Sequence, residues 1–321
     1  MTQKRRILLT GAGGFIGSAL YRVLGSDGDF SVFGTHSPRS AASSGLLCLD
    51  ISDTSAVDQI FSELKPDIVL NAAGRAHFRA GDSVADLFSA NADGVRVLAE
   101  AAKAHGVKHF VHLSSTLVYG EPCKGTIVED SPTNSSTPYG DSKLKGEISA
   151  QAALSDSDIS LTIFRLSMVP SVGNQSNLRD LVLALRSGRF IWIGDGSNLK
   201  TMTAIGDVTR AVTSVLKSEC PRGVRIYNLA GSHVSMKDIV SSLSEGLGIS
   251  APTLRMPSNV AFVFSRLLGG RFGVPSRERL EKFLSSDVIS SENFQREFGV
   301  SFDTDMRAIL REYGSSLINV D

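Results

Sequence analysis

The chain has 321 residues, and its 33 lysine and arginine residues balance its 33 aspartate and glutamate residues. A net charge of zero gives no overall field that would attract nucleic acid or an anionic membrane, so neither is expected as a partner. With 42% hydrophobic residues, the chain can bury the core of one large domain or of two closely joined domains.

The cysteines and the N-terminus indicate the cellular compartment. Cys48, Cys123 and Cys220 are odd in number, and no pair has the spacing of metal ligands. This pattern is typical of thiols in a reducing compartment and predicts no metal site. The apolar run at the N-terminus lasts four residues before Gly11, too few for a signal peptide, and Arg266 interrupts the longest later one. We expect a soluble, cytoplasmic protein.

In the N-terminal half, short apolar runs alternate with segments of helical periodicity. The predicted strands are RRILLT, FSVFGTH, DIVLNAAG, HFVHLSS and SLTIFRLS. The predicted helices between them are FIGSALYRVLGS, SAVDQIFSEL, LFSANADGVRVLAEAAKAHG and PYGDSKLKGEISAQAAL. Strands separated by helices of this length indicate βαβ units, and therefore a parallel sheet covered by helices on both faces.

After about residue 170 the alternation loosens, although RIYNLAG still predicts a strand and SMKDIVSSLSEGLG a helix. The predicted fold is therefore α/β, a Rossmann-like doubly wound parallel sheet with a smaller C-terminal substrate domain. Residues 1–170 with 203–230 would form the dinucleotide-binding domain, and residues 171–202 with 231–321 the substrate-binding domain.

Three glycines, Gly11, Gly14 and Gly17, lie between the first strand and the first helix in LLTGAGGFIG. Such a turn directs free backbone N–H groups and the positive end of the helix dipole at one point, which suits a pyrophosphate. A tight turn without a ligand is the alternative. The GxxGxxG spacing differs from the GxGxxG of ordinary dehydrogenases.

Together with YGDSK at 139–143, this turn resembles the extended short-chain dehydrogenase/reductase family. That group, the NAD-dependent epimerases and dehydratases, includes nucleotide-sugar 4-ketoreductases and 4-epimerases. The segments TGAGGFIGS, NAAG, VHLSSTLVYG, PYGDSK and IGDGSNLKTMTAIGDV follow the order and distances of the family over nearly the whole chain. The segments AAGRAHF and FLSSDVISSENFQREFG look most like bacterial enzymes that act on UDP-4-keto sugars.

Tyr139 and Lys143 are four residues apart on a predicted helix and so share one face. We expect the lysine ammonium to lower the pKa of the tyrosine, so that its phenol exchanges a proton with the sugar oxygen while nicotinamide exchanges the hydride. An ordinary exposed Tyr–Lys pair is the alternative. The resemblance adds Ser115, four residues before the tyrosine of VYG, as the group that hydrogen-bonds the reacting oxygen, although Ser114 and Thr116 are its neighbours.

The second strand ends in Thr35, His36, Ser37 and Arg39, with no carboxylate for the adenosine ribose. This composition suits the 2′-phosphate of NADP, and an exposed polar turn is the alternative. The cofactor, NADP or NAD, is expected to contact the following residues, several of them implied by the resemblance alone: Gly11, Gly14, Phe15, Ile16, Gly17, His36, Ser37, Arg39, Asp50, Ile51, Ala72, Ala73, Gly74, Ser114, Tyr139, Lys143 and Leu166.

For the substrate, the resemblance implies a UDP- or dTDP-linked sugar bound by His77, Ser115, Asn177 and Lys200, in an enzyme that forms a homodimer. Lys200 replaces a family arginine, and a surface loop is the alternative for His77. Thr116 and Leu117 replace the Asp–Glu pair of 4,6-dehydratases, so that reaction is not expected.

The expected activity is reduction of a 4-keto group on the sugar. Epimerisation at C4 with tightly bound NAD is the first alternative. A ketoreductase of another small molecule, or a sensor that binds NADP without turnover, are further alternatives.

Overall fold

The computed structural model describes residues 3–40, 44–76, 83–120, 125–170, 177–219, 221–268 and 276–318. The strands within these ranges are β1 (Arg5–Thr10), β2 (Phe30–His36), β3 (Leu47–Cys48), β4 (Ile68–Asn71), β5 (His109–Ser115), β6 (Thr126–Ile127), β7 (Ser160–Leu166), β8 (Trp192–Ile193), β9 (Leu199–Met202), β10 (Gly223–Leu229), β11 (Ser232–Ser235), β12 (Arg255–Met256) and β13 (Val288–Ile289).

The helices in the same ranges are α1 (Phe15–Gly25), α2 (Thr54–Leu64), α3 (Val84–Phe88), α4 (Gly94–Ala104), α5 (Pro138–Leu154), α6 (Asn177–Arg186), α7 (Ile205–Lys217), α8 (Met236–Leu247), α9 (Ser258–Leu268), α10 (Arg277–Leu284), α11 (Glu292–Phe298) and α12 (Met306–Ser316). A π-helical turn (Ser89–Asp93) joins α3 to α4, and a 3₁₀ turn (Thr116–Tyr119) follows β5.

The main sheet of the described chain has seven strands in the order β3-β2-β1-β4-β5-β7-β10, and its pairs are parallel. The chain starts in the middle at β1, proceeds to β2 and β3, and then crosses to β4 on the other side of β1. Ligands of open α/β sheets bind at the carboxyl ends of the strands beside such a reversal. The predicted Rossmann-like α/β fold is confirmed.

Both faces of the sheet are covered, as the unbroken apolar strands predict. Because side chains alternate along a strand, Ile7 and Leu9 of β1 lie in one core and Leu8 in the other. Helices α1 and α7 complete the first core, whereas α2 and α4 complete the second.

A third apolar cluster belongs to the smaller part of the chain. Its buried residues come from α6, β8, β9, β11, α8 and α12, and they include Leu178, Trp192, Met202, Ile239, Leu243 and Leu310. This cluster falls largely within the segments assigned to the predicted substrate domain. The boundaries of that domain stay a prediction.

An aromatic group near the C-terminus packs on the main sheet instead of the third cluster. The Phe294 ring of α11 is 5.8 Å from the Phe164 ring of β7 and 5.5 Å from the Tyr227 ring of β10. Phe298 stacks on Phe294 at 4.8 Å between centroids. Residues that the sequence assigns to the second domain therefore complete the core of the first.

Among the helices that the model describes, none combines the length and the apolar composition needed to cross a membrane.

Candidate active site

The glycine turn after β1 has a backbone that side chains would disrupt. Gly11 adopts φ +74°, and the Gly14 N–H donates to the Gly11 carbonyl at 2.9 Å. A Cβ added to Gly17 would overlap the Gly11 carbonyl oxygen and lie 2.7 Å from its carbon. No side chain caps the N-terminus of α1, whose first residues are Phe15 and Ile16. The turn therefore has the form that suits a pyrophosphate, and its contact with one stays a prediction.

Two other predicted segments lie against this turn. The Ala72 N–H donates to the Thr10 carbonyl at 3.1 Å. A Cβ on Gly11 would be 2.6 Å from the Ala73 Cα, and one on Gly13 would be 3.3 Å from the His36 Cβ. The structure therefore brings the glycine turn, the end of β2 and the loop after β4 together at the carboxyl edge of the sheet.

Arg39, expected to meet a 2′-phosphate, forms an ion pair with Asp86 at 3.0 Å. The Ser83 backbone N–H and hydroxyl, and then Arg39, hold the pKa of Asp86 well below its ordinary value. The sequence predicts no carboxylate at the end of β2, but the structure supplies one there from α3. Part of the Arg39 charge is thus already compensated.

The other adenosine-side residues have local partners. The Ser37 hydroxyl accepts a bond from the Arg39 N–H at 3.2 Å, and the Asp50 carboxylate accepts one from the Ser52 hydroxyl at 2.7 Å. Ile51 packs against Gly94 of α4, where a Cβ would be 2.6 Å from its side chain. Contacts of these residues with a cofactor stay a prediction.

The structure places two of the three predicted catalytic residues near each other. Ser115 ends β5, where its hydroxyl accepts from the Leu117 N–H at 3.2 Å and acts on the pKa of the Tyr139 phenol. Tyr139 lies in the first turn of α5, which begins at Pro138 and is capped by the Thr137 hydroxyl, the acceptor for the Gly140 N–H at 3.1 Å. Cap and proline together fix where the tyrosine leaves the helix.

The expectation that Lys143 lowers the pKa of Tyr139 is wrong for this structure. Burial raises the pKa of Tyr139 to about 12, and the nearby Ser115 hydroxyl only partly opposes that effect. The Lys143 ammonium donates instead to the Leu113 carbonyl at 2.5 Å. Tyr139 is therefore a protonated phenol at neutral pH.

Lys143 is 4% exposed and lies beside the loop after β4. A Cβ on Gly74 would be 3.6 Å from its Nζ atom. Burial lowers the pKa of Lys143 to about 8, and the carboxylate of Glu147 opposes that effect. The ammonium thus lies between the end of β5 and the predicted cofactor loop, where ribose hydroxyls could receive its hydrogen bonds. Ser114, the last residue but one of β5, and Leu166, which ends the neighbouring strand β7, are buried.

Sequence reasoning missed Asn91. This buried residue lies in the π-helical turn, inside a segment predicted to be one continuous helix. Its side chain accepts from the Arg75 N–H at 2.8 Å and donates to the Arg75 carbonyl at 2.9 Å and to the Ser142 hydroxyl at 2.9 Å. Asn91 therefore fastens the cofactor loop to the catalytic helix. Only its polar character within an apolar helix could have indicated this.

The structure describes the predicted substrate residues to different extents. Lys200 of β9 forms an ion pair with Asp287 at 2.7 Å and donates to the Lys282 carbonyl at 3.0 Å. Its charge is thus compensated in this state. Asn177 begins α6, its side chain lies outside what the structure describes, and so does the whole of His77. Their contacts with a substrate stay predictions.

Comparison with known proteins places this geometry in a family. A model of the NAD dependent epimerase/dehydratase family matches residues 7–230. The chain is 25% identical over 291 residues to N-acetyl-alpha-D-glucosaminyl-diphospho-ditrans,octacis-undecaprenol 4-epimerase of Escherichia coli O157:H7, with 87% of this chain and 86% of that protein covered. It is 27% identical over 261 residues to a probable dTDP-4,6-dihydroxy-2-methyloxan-3-one 4-ketoreductase of Streptomyces antibioticus, covering 80% and 82%.

Among solved structures, the fold matches the Bordetella bronchiseptica enzyme WbmG in complex with NAD and UDP. The TM-score is 0.75 at 22% identity, with 98% of this chain and 94% of that chain covered. This likeness supports the fold, and the family model, which spans more than half of the chain, supports the relationship. The chain belongs to the NAD-dependent epimerase/dehydratase family, the extended short-chain dehydrogenase/reductases that its glycine turn and YGDSK segment resemble.

Proposed function

We propose that the protein is an NAD(P)-dependent oxidoreductase that acts at C4 of a nucleotide-activated sugar, and that it reduces a 4-keto group. The observation that carries the proposal is the placement of Tyr139 at the start of α5, against the turn that follows Ser115, with Lys143 beside the Gly74 loop. Reduction of a ketone needs a proton donor at the oxygen, and the phenol of Tyr139 carries its proton at neutral pH.

In the proposed reduction, the hydride and the proton each have a donor. A reduced nicotinamide cofactor would supply the hydride to C4. Tyr139 would give its proton to the carbonyl oxygen, which becomes the C4 hydroxyl, while Ser115 holds that oxygen in line. Lys143 would hold the ribose next to the nicotinamide, because its ammonium lies beside the Gly74 loop. The glycine turn would hold the pyrophosphate.

The substrate class rests on the relatives. The ketoreductase of Streptomyces antibioticus carries a dTDP-sugar in its name, and WbmG was solved with UDP. The Escherichia coli relative is named for a sugar attached through diphosphate to undecaprenol. We infer that the sugar of the present substrate is also attached through a diphosphate, with UDP or dTDP as the leading carriers.

The test supplies purified protein with NADH or NADPH and a UDP- or dTDP-4-keto-6-deoxy sugar. Nicotinamide absorbance and NMR of the sugar product are followed together. We expect one equivalent of cofactor to be oxidised for each C4 hydroxyl formed. Tyr139→Phe is the matched control, since it keeps the ring and removes the donor.

Epimerisation at C4 is the second candidate, because the Escherichia coli relative is named a 4-epimerase and Arg39 is already paired with Asp86. An epimerase retains its cofactor and returns hydride to the other face of the sugar. Interconversion of UDP-sugar C4 epimers without added reductant and without net cofactor change would contradict the reductase proposal and favour this one.

A further inference from the structure

A buried ion pair lies directly behind the catalytic residues. Glu147 of α5 and Arg165 of β7 are 1% and 4% exposed. The guanidinium donates to the carboxylate from Nη2 at 2.7 Å and from Nε at 3.1 Å. Such a pair loses its hydration on burial, and an apolar pair of similar volume is often as stable. Stability alone therefore does not explain why the protein buries these two charges.

Glu147 also has contacts toward the reaction centre. Its carboxylate accepts a short hydrogen bond from the Ser114 hydroxyl at 2.5 Å. Ser114 directly precedes Ser115, the predicted partner of the reacting oxygen. Glu147 follows Lys143 by one turn of α5, and both side chains belong to the buried face of that helix.

Arg165 is held on its far side. Its Nη1 atom donates to the Tyr119 hydroxyl at 2.9 Å and to the Glu129 carbonyl at 3.1 Å. The Tyr119 hydroxyl in turn donates to the Asn228 side chain at 2.7 Å. Groups from outside α5 therefore hold the Arg165 guanidinium in place. The guanidinium in turn determines the orientation of the Glu147 carboxylate.

We propose that Glu147 is a positioning residue for the proposed reaction, one that orients the Ser114–Ser115 strand end and supplies the countercharge that keeps Lys143 an ammonium ion. Arg165 fixes the orientation of Glu147 and does not reach the reacting atoms. This proposal rests on the proposed function for its catalytic meaning, but its electrostatic part concerns dinucleotide binding and can be tested without a sugar substrate.

The surroundings of Lys143 agree with this assignment. Burial, and then the Lys143 charge, hold the pKa of His112 well below its ordinary value, so His112 is neutral. Tyr139 is neutral as well. Glu147 is the group that opposes the loss of the Lys143 proton. Among the described residues, the titratable groups shown to interact with the ammonium are Glu147 of α5 and His112 of β5, and Tyr139 precedes Lys143 by one turn of α5.

The experiment measures the affinity of the purified protein for NADH and NADPH by calorimetry at pH 6 and pH 8. For the native protein, with a Lys143 pKa of about 8, half of the ammonium is lost at the higher pH, and affinity falls about twofold. In Glu147→Gln, a Lys143 that holds its proton about tenfold less tightly makes the fall between pH 6 and pH 8 about tenfold. Glu147→Asp keeps the charge and should restore the twofold ratio. Glu100→Gln, on the exposed face of α4, should leave it unchanged.

If Glu147→Gln binds the dinucleotides more weakly than the native protein by the same factor at pH 6 and at pH 8, its defect is only structural. That result overturns the proposal. If the single variant does not fold, Glu147→Gln with Arg165→Met removes the unpaired cation and should still show the steeper pH dependence; an unchanged ratio there also overturns it. If the native protein reduces no 4-keto sugar, but its dinucleotide affinity depends on pH as described, only the proposed function is refuted.

Discussion

Gly17→Ala tests whether the glycine turn is built for the cofactor. The added Cβ would overlap the Gly11 carbonyl oxygen and lie 2.7 Å from the Gly11 carbonyl carbon and 3.0 Å from the Ala12 Cα. These are backbone atoms, so relief requires the turn itself to shift. Overpacking of this kind costs about 1–3 kcal/mol. Since about 1.4 kcal/mol corresponds to a factor of ten, we expect dinucleotide affinity to fall between about fivefold and 150-fold.

Gly25→Ala is the matched control in the same helix. Nothing lies within 4 Å of a Cβ built there, so the change should stabilise α1 by up to about 1 kcal/mol and leave binding intact. Urea denaturation midpoints and calorimetry with NADH and NADPH measure both quantities for both variants. The reasoning is refuted if Gly17→Ala and Gly25→Ala have the same midpoint and bind the dinucleotides equally well.

Three further outcomes are expected. Tyr139→Phe should lower turnover by on the order of 100-fold while dinucleotide affinity is retained; near-native turnover would exclude Tyr139 as the proton donor. Because Lys143 is charged below its pKa of about 8 and neutral above it, kcat/KM for reduction should be constant at lower pH and fall as the pH rises through about 8. A pH profile of initial rates checks this, and a rate that rises through pH 8 would contradict it. Arg39→Ala should weaken NADPH binding more than NADH binding if the guanidinium leaves Asp86 for the 2′-phosphate; fluorescence titration that shows equal effects would favour NAD as the cofactor.

Local signals in the sequence were sufficient for much of the fold. The predicted segments FSVFGTH, HFVHLSS and PYGDSKLKGEISAQAAL match β2, β5 and α5 in their bounds. These segments are unbroken apolar runs, or a helix with a threonine cap and a proline in its first turn, so neighbouring residues determine them. The two-residue strands β6 and β13 pair with each other and have no periodicity that could reveal them.

The helix that leads from Leu87 to Gly106 shows where periodicity fails. The sequence predicts one helix, whereas the structure inserts a π-helical turn at Ser89–Asp93. One additional residue per turn changes which side chains face inward, and a count of apolar positions over the whole segment does not detect it. Asn91 points to its partners only because of this insertion.

In the site, residues close in sequence were predictable and distant partners were not. The spacing of Tyr139 and Lys143 predicted that both lie on one helix, which is α5 in the structure. The partner of Arg39 is 47 residues away, and the hydrogen bond between Lys200 and Asp287 spans 87 residues. These pairs depend on how the chain closes on itself, and they change the charge that a phosphate group would meet. The same holds for the Tyr139 pKa, since the extent of its burial is a property of the folded chain.

The aromatic contacts of α11 bear on how the molecule can be divided. The family model ends at residue 230, yet the rings of Phe164 and Tyr227 in the main sheet are covered by Phe294 from far beyond that point. A fragment that ended at residue 230 would leave these two rings facing water, together with the sheet edge at β10. The end of the family model is therefore not a limit of folding, and the main sheet needs α11 to complete its own core.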